Sequence, residues 1–332
     1  MTFTRIKALG FVVAATALLS ACKKDEQTVW IYASYYKEVI AMHAPVLKAA
    51  FPDVKIQWYQ AGSENVSAKI QAELTGGQPQ ADIMMTSDMF FFQELAEKGE
   101  LAPLQDPAFL KLPAENLDPE RRFALSRWPV MVLIHNESVP EAERPKSFKD
   151  LVDPRFKGKI TMPSPLESGS AMSAALYLKK MYGEEYFKGL RANDMLAAGG
   201  NGATLSRVQS GEKTVGMVLI ENVLQAMEKG QKNVRFVIPS EGALAIGSPI
   251  AVLKRGRNAE VAQKIAAWFM SSDAQDLLIK GWIYSAIPGS PTPAGAPEWS
   301  ALKLAPWDLG TFREWSKERQ ATKDMFQNIV LR

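Results

Sequence analysis

Apolar and polar positions along this chain switch repeatedly between two periods. Thr28 to Ala33 (TVWIYA) is β-rich and apolar, which predicts a first strand. Tyr36 to Phe51 carries Val39, Ile40, His43, Leu47 and Phe51 at helical spacing. Pro45 lies inside that run and predicts a kink or a split there. Val54 to Tyr59 alternates as a strand, and Ser63 to Leu74 reads as a helix stopped by Gly76-Gly77. Ala81 to Met85 is a short strand, and Met89 to Lys98 a helix backed by Gly99. This strand-helix order is that of α/β units around mostly parallel sheets.

The second half repeats the style. Strands are expected at Lys159–Met162, Val215–Ile220 and Arg235–Ile238. Helices are expected at Ala171–Tyr182, Thr204–Ser210, Asn222–Lys229, Ala259–Met270 and Ala274–Lys280. Pro288 to Pro297 is a loop, and Leu309 to Val330 has the pattern of one amphipathic helix. Phe123–Asn136 and Phe236–Leu253 are long, extended and broken by Pro or Gly, and suit segments crossing between two lobes or, alternatively, two edge strands.

The first residues follow neither period. Met1 to Lys7 is a short basic start, and Ala8 to Ala21 is a small and apolar run shorter than the roughly 20 residues that span a bilayer. This predicts a secretory signal over residues 1–21. It ends in Leu19-Ser20-Ala21-Cys22, which resembles a bacterial lipoprotein cleavage box, so Cys22 is expected to carry lipid and residues 22–27 to form a charged tether. Lys23, not Asp, follows the Cys, which points toward outer-membrane sorting in a Gram-negative source.

Composition then narrows the chemistry. The chain has 332 residues, enough for about two domains, and 47% hydrophobic residues, enough for a sizeable core. One Cys and two His exclude a disulfide and a Cys/His zinc site. Removing Arg5 and Lys7 with the signal takes the basic count from 39 to 37, against 36 acids, so no basic domain for nucleic acid is expected. There is no GxSxG, P-loop or dinucleotide fingerprint, so neither an enzyme nor a resident cofactor is expected.

Several segments together resemble the extracellular solute-binding proteins of bacterial ABC transporters, in the ferric-iron-type branch. They are VWIYASYYKEVI (29–40), AGSENVSAKIQAE (61–73), PQADIMMTSD (79–88), PKSFKDLVDPRFKGKITMPSPLESGSA (145–171), VQSGEKTVGMV (208–218), IPSEGALAIG (238–247) and AAWFMSSDAQDLLIKGWIYSAIP (266–288). The resemblance implies a type II periplasmic-binding-protein fold: two α/β lobes, a ligand cleft between them and hinge closure. On this reading residues 28–125 and 240–290 form the N-terminal lobe, and 126–239 with 291–332 the C-terminal lobe. It also implies a monomer anchored in the cell envelope, facing the periplasm and delivering a small anion to an inner-membrane ABC permease.

In open α/β sheets, ligands lie beyond the carboxyl ends of strands, where helix N-termini offer free N–H groups. That places Ser34 and Tyr36 after the first strand and Ser87 and Asp88 after the third. Ser168-Gly169-Ser170 opens a helix with two hydroxyls and a glycine, and Gly199 to Thr204, with Asn201, opens another. The resemblance matches the Ser168–Ser170 turn to a phosphate-holding turn, and Asn201 to an anion-contacting Asn.

The family's iron ligands do not carry over. Its Tyr-Tyr pair is replaced by Glu221-Asn222, its Glu aligns with Ser87 and its His with Tyr36. Tyr36, Asp88 and Glu221 could supply some hard oxygen ligands, so a ferric receptor with a non-standard set is the alternative. The favoured ligand is a small organophosphate or phosphonate, with Asp88 and Glu221 meeting an ammonium or sugar hydroxyls and Tyr35, Tyr36 or Trp128 giving an aromatic surface. Arg121, Arg122 and Arg127 lie near the first crossing; one facing the cleft would grip an anion, although such arginines also serve as surface or interlobe pairs.

Overall fold

The computed structural model describes residues 27–332; the expected signal and Cys22 lie outside the described residues. The chain begins β1 (Gln27–Ala33), α1 (Lys37–Ala50), β2 (Val54–Gln60), α2 (Ser63–Thr75), β3 (Ile83–Met85), α3 (Met89–Glu97), β4 (Leu101–Ala102) and β5 (Ala124–Trp128). It continues β6 (Val130–Asn136), β7 (Ile160–Met162), α4 (Gly169–Ala192), β8 (Leu196–Ala197), α5 (Asn201–Ser210), β9 (Val215–Leu219), α6 (Ile220–Glu228), β10 (Val234–Val237) and β11 (Leu244–Ala245). It closes with β12 (Ser248–Leu253), α7 (Ala259–Trp268), α8 (Ser272–Lys280), β13 (Tyr284–Ser285), α9 (Leu309–Ser316) and α10 (Arg319–Phe326).

These strands form two sheets, one per lobe. The first has the order β13-β5-β12-β3-β1-β2, with β4 beside β12; the second has β10-β6-β9-β7-β8, with β11 beside β6. Both are mixed, which departs from the mostly parallel expectation. The βαβ neighbours β1/β2, β1/β3, β7/β8 and β7/β9 are parallel. The strands next to the crossings, β5, β6 and β12, pair antiparallel, because a chain returning from the other lobe re-enters its sheet from the opposite end.

The chain changes sheet at Pro129, between β5 and β6, and again at Ile246-Gly247, between β11 and β12. Both points fall inside the extended segments singled out in the sequence. β6 is buried along its whole length, and its alternate residues enter different cores. Met131 and Leu133 pack on one face of the second sheet, and Val130, Val132 and Ile134 on the other.

Three helices differ from expectation. α1 runs unbroken from Lys37 to Ala50 with Pro45 inside it. α4 reaches Ala192, interrupted at Gly183, whose φ of 71° is a left-handed conformation. The single C-terminal helix is instead broken between Ser316 and Arg319. Leu309 and Phe312 pack into the first lobe's core, while Met325 and Phe326 pack into the second's, so one straight helix could not serve both. Among the described residues, no helix is long and apolar enough to cross a membrane.

Candidate functional site

A cavity of about 240 Å³ lies where the lobes meet. Ser34, Tyr36 and Ser87 enter it from the first lobe, and Ser168, Ser170 and Asn201 from the second. The expected residues therefore converge, except for three. Gly169 sits between two lining serines without lining the cavity itself, and neither Asp88 nor Glu221 lines it.

Helix starts make up much of the wall. Gly62-Ser63 opens α2, Ser168–Ser170 opens α4 and Gly200–Gly202 opens α5, and all three touch the cavity. The first N–H groups of each helix lack intrahelical partners, and each terminus carries about half a positive charge. Ser168 caps α4 by accepting from Ala171 N at 3.4 Å. Its hydroxyl lies 3.0 Å from Ser170 Oγ, to which Asn201 Nδ2 donates at 3.1 Å. Among the described residues, Ser34 Oγ and Asn201 Oδ1 find no hydrogen-bond partner although both are buried.

Arg127 supplies the fixed charge. It sits on β5 just before the chain leaves the first sheet, is only 2% exposed and lines the cavity. Its guanidinium stacks 4.1 Å from the centre of the Tyr35 ring, and Nη2 donates to Ser87 Oγ at 3.4 Å. Among the described residues it forms no ion pair. Burial pulls its pKa down, opposed by the nearby Tyr35, Glu221 and Tyr36. An Arg inside the apolar run FALSRWPVMVLI was the available signal, since such a residue needs a partner that the run itself lacks.

Neither expected acid lines the cavity, and Asp88 is committed elsewhere. Asp88 is fully buried and caps α3, accepting from Phe91 N at 3.3 Å. Its other oxygen accepts from Ser67 Oγ at 3.3 Å and forms a short ion pair with Arg319 of α10. Glu221 is 2% exposed, and neither carboxylate oxygen has a hydrogen-bond partner among the described residues. Burial pushes its pKa up to about 7, with Arg127 and nearby backbone N–H groups opposing. It is therefore a neighbour of Arg127 that does not line this cavity.

The aromatic candidates also separate. The Tyr36 hydroxyl donates across the lobes to Asn222 Oδ1 at 2.9 Å, and burial raises its pKa. Tyr35 faces Arg127. Trp128 lines a different, larger cavity of about 460 Å³ with Tyr284, Trp299 and Trp307, which gathers no buried charge. Arg122 pairs with Asp118 at 2.8 Å, away from the cleft. Among the described residues, no group of three or more His, Cys, Asp or Glu side chains is placed to hold a metal ion.

Two α/β lobes closing on a buried polar cavity define a solute receptor of the type II periplasmic-binding-protein class. The chain belongs to the bacterial extracellular solute-binding protein family, whose model matches residues 78–309, and within it to the ferric-iron-type branch of ABC binding proteins. A periplasmic protein of Salmonella typhi named for binding 2-aminoethylphosphonate is 26% identical over 234 residues, 67% of this chain and 66% of that one. The periplasmic binding protein AfuA of Actinobacillus pleuropneumoniae, with fructose-6-phosphate bound, superposes with a TM-score of 0.82 at 23% identity, covering 92% and 99% of the two chains. Iron-bound HitA of Pseudomonas aeruginosa gives 0.79 at 21% identity, covering 90% and 99%.

Proposed function

We propose that this protein is the periplasm-facing receptor of an ABC importer, not an enzyme, and that it captures a small solute through a phosphate or phosphonate group. The observation that carries this reading is Arg127, a buried guanidinium without an ion-pair partner among the described residues, in a cavity ringed by three helix N-termini. A buried cation is costly unless paired, and an anion in this cavity would pair it. The same charge repels Fe(III), and Asp88, one of the hard oxygen ligands iron would need, is already bound to Arg319. In this reading the lobes divide where the chain changes sheet, at Pro129 and Ile246-Gly247, and close as hinged bodies on the solute.

The ammonium or sugar end of the solute needs a different partner from Asp88 or Glu221. Glu167 lines the cavity and is exposed at its rim, where its Oε1 accepts from Gly199 N at 3.3 Å. The anchor at Cys22 belongs to the same proposal. Acyl chains contribute about 0.8 kcal/mol per buried CH₂, so a multiply acylated Cys would hold the receptor beside its permease.

Thermal melts with inorganic phosphate, 2-aminoethylphosphonate, fructose 6-phosphate and ferric citrate test the ligand class. A phosphorus anion at 100 times its Kd is expected to stabilise by about 2.7 kcal/mol. No shift with any of the three phosphorus anions, together with a coloured Fe(III) complex, would replace this reading with the ferric one.

A further inference from the structure

The C-terminal helix α10 reaches across the lobes. It is carried by the second lobe: Met325 and Phe326 lie in that core, Thr322 is buried, and Glu318 pairs with Lys179 and Lys180 of α4. Its cationic side chains nevertheless find their partners in the first lobe. Arg319 Nη2 donates to Glu64 Oε1 at 3.1 Å and to Oε2 at 2.9 Å, and also to Asp88 Oδ2. Lys323 pairs with Glu64 as well. The cluster holds two carboxylates and two cations, and all four side chains are largely buried.

This cluster borders the solute cavity. Glu64 and Asp88 each follow a lining residue, Ser63 and Ser87. Gly169, between the lining residues Ser168 and Ser170, packs so closely on Asp88 that a Cβ there would lie 2.8 Å from Asp88 N. Without Arg319, the closed cavity would have an uncompensated carboxylate charge at its wall, in a setting where charges act strongly.

We infer that Arg319 is a specificity-determining residue of this cavity: brought in from the opposite lobe on closure, it cancels, together with Lys323, the two charges of Asp88 and Glu64 and so makes anion selectivity a property of the closed form. The inference rests on the phosphate or phosphonate reading above. It goes further, because it assigns part of the selectivity to a residue that does not line the cavity. In the open form Arg319 leaves with the second lobe, and the first lobe presents two carboxylates that disfavour an anion bound to that lobe alone.

Charge counting separates this role from packing. Arg319→Met leaves the cluster with one excess negative charge, and Arg319→Met/Asp88→Asn restores neutrality while Asn keeps a helix-capping side chain. Titration calorimetry with inorganic phosphate, 2-aminoethylphosphonate and fructose 6-phosphate is expected to show Arg319→Met weakening Kd roughly tenfold or more. The double variant is expected to recover to within about threefold of the unmodified protein. Should Arg319→Met fail to fold, Asp88→Asn alone leaves one excess positive charge and is expected to bind the same anions more tightly.

Equal weakness of the single and double variants would show that Arg319 acts by packing and would overturn the inference. So would unchanged affinity in Arg319→Met, or weaker anion binding in folded Asp88→Asn. Failure of the unmodified protein to bind any of the three anions would instead remove the functional reading, and this inference with it.

Discussion

Arg127 and Arg319 are both largely buried where the lobes meet, but among the described residues Arg319 alone of the two has carboxylates as ion-pair partners. Arg319 has Glu64 and Asp88 within ion-pair distance, so its charge is cancelled inside the protein. Arg127 has an aromatic face and a serine hydroxyl, with Glu221 nearby but not hydrogen-bonded to it. A buried ion pair contributes little net stability, whereas an unpaired buried charge keeps much of its desolvation cost. The first arrangement joins two lobes; the second leaves an interaction available for a solute.

The sharpest way to break this comparison is Arg127→Met. Loss of one partner of a buried charge pair costs about 3–5 kcal/mol, so anion binding is expected to fall below calorimetric detection. The unliganded variant should melt no lower than the unmodified protein, since an unpaired buried charge has been removed. A lower melting temperature with anion affinity retained would make Arg127 a structural residue.

Glu221→Gln probes the electrostatics beside Arg127. The folded pKa of Glu221 is raised from 4.5 to about 7, so the native state holds its proton over a window where the unfolded chain has lost it. The stability contributed by the protonated form is complete below about pH 4.5 and lost as pH rises through 7. Gln cannot ionise, so the variant's stability advantage should grow across that window and level off above it. Each tenfold change in proton affinity is worth about 1.4 kcal/mol, so the plateau is on the order of 3 kcal/mol in urea titrations. The groups facing Glu221 are Arg127, Tyr36 and Tyr284, and both phenols are shifted to still higher pH, so they stay neutral across the window. A gap that does not change with pH would assign the effect to packing.

A smaller effect is expected on the Arg319 side from Gly169→Ala. The new Cβ would meet Asp88 N and Cβ at 2.8 Å across the lobe junction. Overpacking of this kind costs roughly 1–3 kcal/mol, and here it opposes closure more than folding of either lobe. X-ray scattering should show a larger radius of gyration and calorimetry a weaker anion Kd. An unchanged radius with unchanged affinity would mean that the Asp88 contact is not part of closure.

Much of the site is legible in the sequence because it is local. Ser168, Gly169 and Ser170 announce a helix start through their chemistry, and so does the Gly199–Thr204 turn. Strand ends followed by helices place Ser34, Tyr36 and Ser87 in the cleft. Gly62-Ser63 carries the same kind of signal after β2 and also lines the cavity, although its pattern announces only a helix cap. Asp88 has the look of a ligand because it follows a strand, and no local feature announces Arg319, 231 residues away. The C-terminal stretch reads as one helix because an amphipathic period does not say which partner each turn will meet.

By itself, the sequence determined the alternation of strands and helices, the crossing segments and the glycine and serine turns that open helices. These depend on backbone preference and on the period of apolar residues, both short-range properties. Tertiary structure alone decided which buried charges would find partners. Arg127 stands without an ion pair among the described residues, and Asp88 is cancelled, because of distances between side chains far apart in the chain. In a low-dielectric interior those distances, not residue type, set the energy of a charge.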